Sequence, residues 1–500
     1  MMGPLLLGID AGTSNVKASI YDTKGKLIKC ASVESTILKS DEGHMEMDLN
    51  VLMFNLKRLL KEITFGYKDD IKAIGFSVTS PTLVLLDKKL NPIRPGVIYL
   101  DNRSSEEVSK YAEMLGGREG YFSKIGNNPS PSTCTVGLLN WLKREEPESW
   151  ERVYKIGYLN TFLAAKLTGE VAVDPTIASL SGLVNIGNPY CWDEELVKIS
   201  GINPDILPDI KPSFHKVGVL QEKIAKKIGL PAGIPVSIGS ADTAAASFAL
   251  GLKQHGDVFE SMGTSGVLTF CLTKPKFDKA FMNRSHVIPG LWLAHGAMST
   301  TGAAIEWAKD IFFSQLEDIS DMERIVLNTN PGSSGIIFLP YLSGERSPVF
   351  DPKACGVFFG LNLETNKKDM ARAIYEGSAY GVKQLYLIAQ NRWNVAPEFI
   401  RCVGGVCRSS LALQLRSDIL NIPYKSMEAG NAAALGAAFM AGMAANIYKD
   451  IDEIPNPNKF LKSVCPNSEN MDIYDKCFSI YQKLYPSLKP LMHEKADNIF

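Results

Sequence analysis

The chain has 500 residues, 45% hydrophobic and 21% charged, a composition expected of a water-soluble globular protein with material for two cores. Its 53 basic and 54 acidic residues leave a net charge of -1, which argues against a broad electrostatic surface for nucleic acid or anionic lipid. Nine scattered cysteines without a C-x-x-C pair, and six unclustered histidines, exclude a disulfide framework and a zinc site and fit reduced thiols in a cytosol.

The opening MMGPLLLGID has neither a basic n-region nor a long apolar run, so no signal peptide is expected. Leu5–Ile9 and Val16–Tyr21 read as strands. Between them lies the turn Asp10-Ala11-Gly12-Thr13-Ser14-Asn15. Such a turn is either an ordinary hairpin or a phosphate-holding loop. In the second reading Gly12 lets backbone N–H groups approach an anion, and Thr13 and Ser14 add hydroxyl donors. Lys17 adds a cation, and Asp10 holds Mg²⁺ directly or through water.

KLIKCASV is a third strand. A helix follows with Leu52, Leu56, Leu59 and Ile63 on one face and Asp48 as N-cap. IKAIGFSV, LVLL and VIYL read as short buried strands, and helices are expected at 105–114, 136–144 and 158–167. Residues 185–235, rich in Pro, Gly and Asn, read as irregular structure. PVSIGS then ends at Gly239-Ser240-Ala241-Asp242, opening an alanine-rich helix. Asp242 is there either an N-cap or a general base for an attacking hydroxyl.

DVFESMGTSGVLTF (257–270) repeats the strand, Gly-Thr-Ser, strand pattern of the start and suggests a duplicated domain. Two such turns propose a grip on a polyphosphate, with Thr264 and Ser265 as further donors. Helices are expected at 301–313, 368–389, 409–420 and 432–445. The last is too short to span a bilayer. Glu345 and Arg346, in YLSGERSPVFDP, read as solvated loop charges. Gly404 and Gly405 precede a helix that offers Ser409, an arrangement that lets a flat base lie against the backbone. Tyr474, Cys477, Phe478 and Tyr481 fall at helical spacing and mark a docking face.

GIDAGTSNVKA, RPGVIYLDNR, WLKREEPESW, KLTGE, GSADTAAASFALG, MGTSG, SGERSP and GGVCRSSLALQLRSDILNIP occur in this order from Leu5 to Gly442. In this they resemble the FGGY family of carbohydrate kinases, and within it the xylulokinase-like members. The resemblance implies two actin-like, ribonuclease-H-like α/β ATPase domains, 1–246 and 247–500, with a deep interdomain cleft for ATP. It matches Asp242 to the catalytic base, and Asp10 to the acidic residue near Mg²⁺ and the phosphates. Gly263, Thr264 and Ser265 match the second phosphate loop. Gly302, Gly404, Gly405 and Ser409 fall where the family holds the nucleotide.

Tyr99, Asp101 and Arg103 align with a W-x-D-x-R segment beside the sugar, and Asp101 is the expected sugar-hydroxyl contact. Thr79-Ser80-Pro81-Thr82 stands where xylulokinases carry Gln-Met-His-Gly. Pro81 thus removes the imidazole donor and acceptor. Thr79 and Ser80 are then the substrate-facing residues, and the substrate is a ketose, polyol or sugar acid. A cytoplasmic enzyme without nucleic-acid or membrane partners is the expectation, with a homodimer left open. A degenerate sugar-binding regulator and a non-sugar actin-like ATPase are the alternatives.

Overall fold

The computed structural model describes residues 3–428, 431–456 and 459–498. By its packing the chain divides into two compact units. One comprises Met1–Lys253, Thr273–Leu293 and Asn431–Pro457. The other comprises Gln254–Leu272, Ala294–Gly430 and Asn458–Phe500.

In the first unit the strand Leu5–Ala11 pairs antiparallel with Asn15–Asp22 and parallel with Ile71–Val78. Leu27–Glu34 extends one edge, and Pro235–Ser237 with Lys216–Val219 the other. The central strands are apolar on both faces, as LLLGI and AIGF require, because helices cover both sides. The helix Ala432–Ala444 lies so close that a Cβ at Gly8 or Gly75 would overlap its carbonyl oxygens at Ala434 and Ala437. Leu49–Ile63 forms the expected amphipathic helix. The Asp48 carboxylate accepts from the N–H groups of Asn50 and Val51 at 2.9 and 3.0 Å. A separate antiparallel sheet joins Ile37–Lys39, Met45–Met47, Gly96–Ile98, Thr82–Leu86 and Lys155–Tyr158.

The second unit repeats the pattern. Val258–Met262 pairs antiparallel with Gly266–Leu272 and parallel with Ile400–Val403, which continues to Tyr424–Met427. The tail helix Met471–Asn498 buries Tyr474, Phe478 and Tyr481 around Tyr380, at ring separations of 6.5, 6.1 and 5.6 Å. This is the docking face expected from its spacing.

Three local expectations change. The strand read in VIYL stops at Ile98, leaving Tyr99 and Leu100 exposed. The stretch 185–235 holds helices at Glu194–Ser200 and Glu222–Ile228, each closed by a left-handed glycine at Gly201 and Gly229, and a strand at Lys216–Val219. Glu345 is 4% exposed rather than solvated. Its Oε1 accepts from the N–H groups of Ser299 and Arg346 at 2.7 and 2.8 Å. Among the described residues no helix is long and apolar enough to cross a membrane.

Candidate active site

The register of the first unit brings two distant carboxylates to one edge. Asp10 lies opposite Ser77, and Ser77 opposite Ser240. In the next row Ala11 lies opposite Val78, and Val78 opposite Ala241. Gly12, Thr79 and Asp242 therefore follow together from the C-terminal ends of three neighbouring strands. That is where open α/β sheets present their ligand-binding loops. Asp10 Oδ1 accepts from Ser77 Oγ at 2.9 Å. Burial and then the Asp242 charge push its carboxyl up to about 6, against the pull of Ser77 and of Lys17, its cross-strand neighbour. Asp242 is the first residue of the helix Asp242–Ala249, so Ala241, not Asp242, is its N-cap. Its Oδ1 accepts from Thr243 N at 2.6 Å. Burial raises its carboxyl and the Arg284 charge pulls it down.

Arg284 has no counterpart in the sequence reading. Its strand Met282–Ser285 is held by a reciprocal pair, Asn283 N to Asn127 Oδ1 at 2.7 Å and Asn127 Nδ2 to Asn283 O at 2.8 Å. The guanidinium is 2% exposed, and its Nε and Nη1 have no partner. Burial lowers it to about 10, still a cation at neutral pH, with Asp242 and Asp174 pulling it upward. Asp174 was missed as well. Its carboxylate accepts from Asn160 Nδ2, Thr176 N and Ser213 Oγ at 3.0, 2.9 and 3.2 Å. Thr176 Oγ1 in turn accepts from Ala241 N at 2.9 Å, which fixes the residue before Asp242. Asp174-Pro175, an N-cap followed by proline, was the available signal.

Of the sugar-segment residues, Thr79 is buried, and its N–H donates to Ala11 O at 2.9 Å. Ser80 Oγ is buried without a partner. Asp101 is committed internally. It accepts from Met45 N at 2.6 Å and from Arg103 N, Nε and Nη2 at 3.0, 2.8 and 2.7 Å. Burial raises its carboxyl, but these bonds hold it below the usual range. Arg103 also reaches Glu46 at 2.7 Å and lies over Trp141 at 5.0 Å. Tyr99 is 38% exposed.

The first turn closes through Gly12 N to Asn15 O at 2.9 Å, with Thr13 and Ser14 at its accessible tip. In the second unit the Gly263-Thr264-Ser265 turn receives a helix start. Gly302 N donates to Gly263 O at 3.1 Å, and Ala303 N to Thr264 O at 3.0 Å. A Cβ at Gly302 would overlap Gly263, and one at Gly404, whose φ is 113°, would overlap Met262. These glycines bring the 263–265 turn, the Gly302 helix and the Gly404-Gly405 turn together. Gly405 stays open to solvent, and Ser409 caps the next helix through Ala412 N at 2.9 Å.

No cluster of three or more His, Cys, Asp or Glu side chains suited to a metal occurs among the described residues. Asp10, a buried carboxylate within reach of the Asp242 charge, is a fit for Mg²⁺, which takes one or two carboxylates and completes its shell with phosphates and water. The accessible glycine turns of the second unit fit a nucleotide.

Residues 5–249 match the N-terminal domain, and residues 258–445 the C-terminal domain, of the FGGY family of carbohydrate kinases. The chain is 28% identical over 498 residues to a xylulose kinase of Lactococcus lactis, covering 98% of each chain. It is 26% identical over 464 residues to a gluconokinase of Bacillus subtilis, covering 91% of this chain and 90% of that one. A crystal structure described as a xyloylose kinase from Brucella ovis superposes with a TM-score of 0.89 at 28% identity, covering 97% of this chain and 100% of that one. With the two-unit α/β fold of actin-like ATPases, this chain belongs to the FGGY family of carbohydrate kinases, ATP-dependent phosphotransferases.

Proposed function

We propose that the enzyme transfers the γ-phosphoryl group of Mg-ATP to a hydroxyl of a ketose, polyol or sugar acid, with Asp242 as general base. The observation that carries this is the register that brings Asp10 and Asp242 to the same end of the sheet, near enough for the Asp242 charge to raise the Asp10 carboxyl. Asp242 takes the hydroxyl proton as the new O–P bond forms and the bond to the ADP oxygen breaks. Arg284 opposes the burial that raises the Asp242 carboxyl, and offers its unpartnered Nε and Nη1 to substrate oxygens.

Asp10 would hold Mg²⁺, which would supply charge neutralisation at the phosphates. Within the first unit Gly12, Thr13, Ser14 and Lys17 form one phosphate-contacting turn, and within the second unit Gly263, Thr264 and Ser265 form another. Gly302, Gly404, Gly405 and Ser409 shape the nucleotide site. Thr79, Ser80, Tyr99 and the Asp101–Arg103 clamp shape the sugar side. In this reading residues 1–246 carry the sugar and first phosphate loop, and 247–500 the nucleotide. The relatives' names support a ketose or a sugar acid.

The test is ADP release with Mg-ATP across a panel of ketoses, polyols and sugar acids. Sugar-stimulated turnover is expected. Turnover indifferent to sugar would favour a bare ATPase, and sugar binding without turnover a regulator.

A further inference from the structure

A groove of about 710 Å³ in the first unit shares no residue with the carboxylate site. The helix Leu49–Ile63 lines it with Lys57, Arg58 and Lys61. Leu159–Thr168 contributes Lys166, Glu222–Ile228 contributes Lys223 and Lys227, and the turn after Asp87 contributes Lys89. No carboxylate lines the groove. None of these seven cations forms an ion pair among the described residues, whereas Lys226, one position from Lys227, pairs with Glu222 at 2.7 Å. Asp87 is an acid whose charge reaches Lys166. Its carboxylate accepts from the N–H groups of Lys89 and Asn91 in its own turn.

The cations crowd one another. Burial and then Lys227 push the Lys57 ammonium down, and burial with Lys57 pushes Lys166 down against the pull of Asp87. Phe54 and Phe162 give the groove an apolar component, with Arg58 and Lys166 stacked on them at 5.8 and 5.9 Å. A chain with net charge -1 has enough acids to intersperse here and does not. Like charges gathered in a concavity cost stability unless an anion offsets them. The volume falls in the range of small-ligand sites, roughly 300–1,000 Å³, and a concave wall suits a compact ligand better than a flat bilayer or a duplex.

We propose that this groove binds a small organic polyphosphate, a molecule with two or more phosphoryl groups on a compact apolar or sugar body. The proposal does not depend on the catalytic reading.

The experiment is calorimetric titration of the full chain with tripolyphosphate at about 0.15 M salt, where surface attraction is already screened. It compares wild type, K57E/K227E and a control, K476E/K483E, that places the same charge change on the tail helix. The expected result is one site weakened at least roughly tenfold in K57E/K227E and unchanged in the control. Without tripolyphosphate, K57E/K227E should melt no lower than wild type, because it relieves repulsion. Equal affinity in all three proteins, or equal weakening in both variants, would overturn the proposal. So would groove-dependent binding of duplex DNA or phosphatidylserine vesicles with none of tripolyphosphate.

Discussion

Gly302→Ala tests whether the 263–265 turn holds the nucleotide. The added Cβ would lie 3.0 Å from the carbonyl carbon of Gly263, closer still to its oxygen, and 3.1 Å from Val406 Cγ2. Carbon contacts relax at about 3.5–4.0 Å, so turn and helix start must part by roughly half an ångström or more. Overpacking of this kind costs roughly 1–3 kcal/mol. Stretching the bonds from Gly302 N and Ala303 N adds about 1 kcal/mol each. The sum, about 3–5 kcal/mol, should appear as a lower melting temperature. The displaced turn should also weaken ADP at least roughly tenfold, worth about 1.4 kcal/mol. Sugar binding, assigned to the first unit, should not move. Calorimetry with ADP and with sugar separates the two. A variant that melts lower yet binds ADP like wild type would remove the 263–265 turn from the nucleotide site.

Asp242→Asn should lower kcat by roughly 10²–10⁴, the usual reach of a general base, while calorimetry still finds ADP and sugar bound. Arg284→Met removes the cation that offsets Asp242's burial, so Asp242 should protonate at higher pH. The acid limb of kcat/KM should then move to higher pH, with Arg284→Lys partly restoring it. Glu345, pushed by burial from 4.5 up to about 7, favours its protonated form in the folded state. That contributes about 3 kcal/mol below pH 4.5, lost as pH rises through 7. Glu345→Gln should therefore flatten the fall in melting temperature over that window.

Much of the scaffold was legible because its signals are local. Asp48 before a 3.6-residue apolar period gave the first helix, and LLLGI and AIGF gave central strands. Both Gly-Thr-Ser turns stood between alternating runs. The site was legible as positions more than as partners. Asp10 and Asp242 are 232 residues apart, and only strand register brings them to the same end of the sheet. Arg284 sits in MNRSHV without any motif, and what marks it is burial with unpartnered N–H groups, a property of packing alone. A total of -1 argues against a broad electrostatic surface and says nothing of a local one: three helices and the turn after Asp87 bring seven cations to one groove, because folding sorts charges that a sum averages.

Asp101 shows how an aligned position and a side chain's spare capacity can diverge. A carboxylate has about four acceptor sites, and Met45 N with three Arg103 nitrogens uses four. A sugar hydroxyl would have to displace one of them. The clamp instead fixes Arg103 against Glu46 and Trp141, so Asp101 positions the arginine. Asp101→Asn would leave that guanidinium, with a side chain only 3% exposed, short of one of its two carboxylates. Breaking a buried pair costs roughly 3–5 kcal/mol, and Glu46 keeps this case near 3. Urea unfolding of Asp101→Asn should show that loss at every sugar concentration. Wild-type stability with only the sugar KM raised would return Asp101 to direct contact with the substrate.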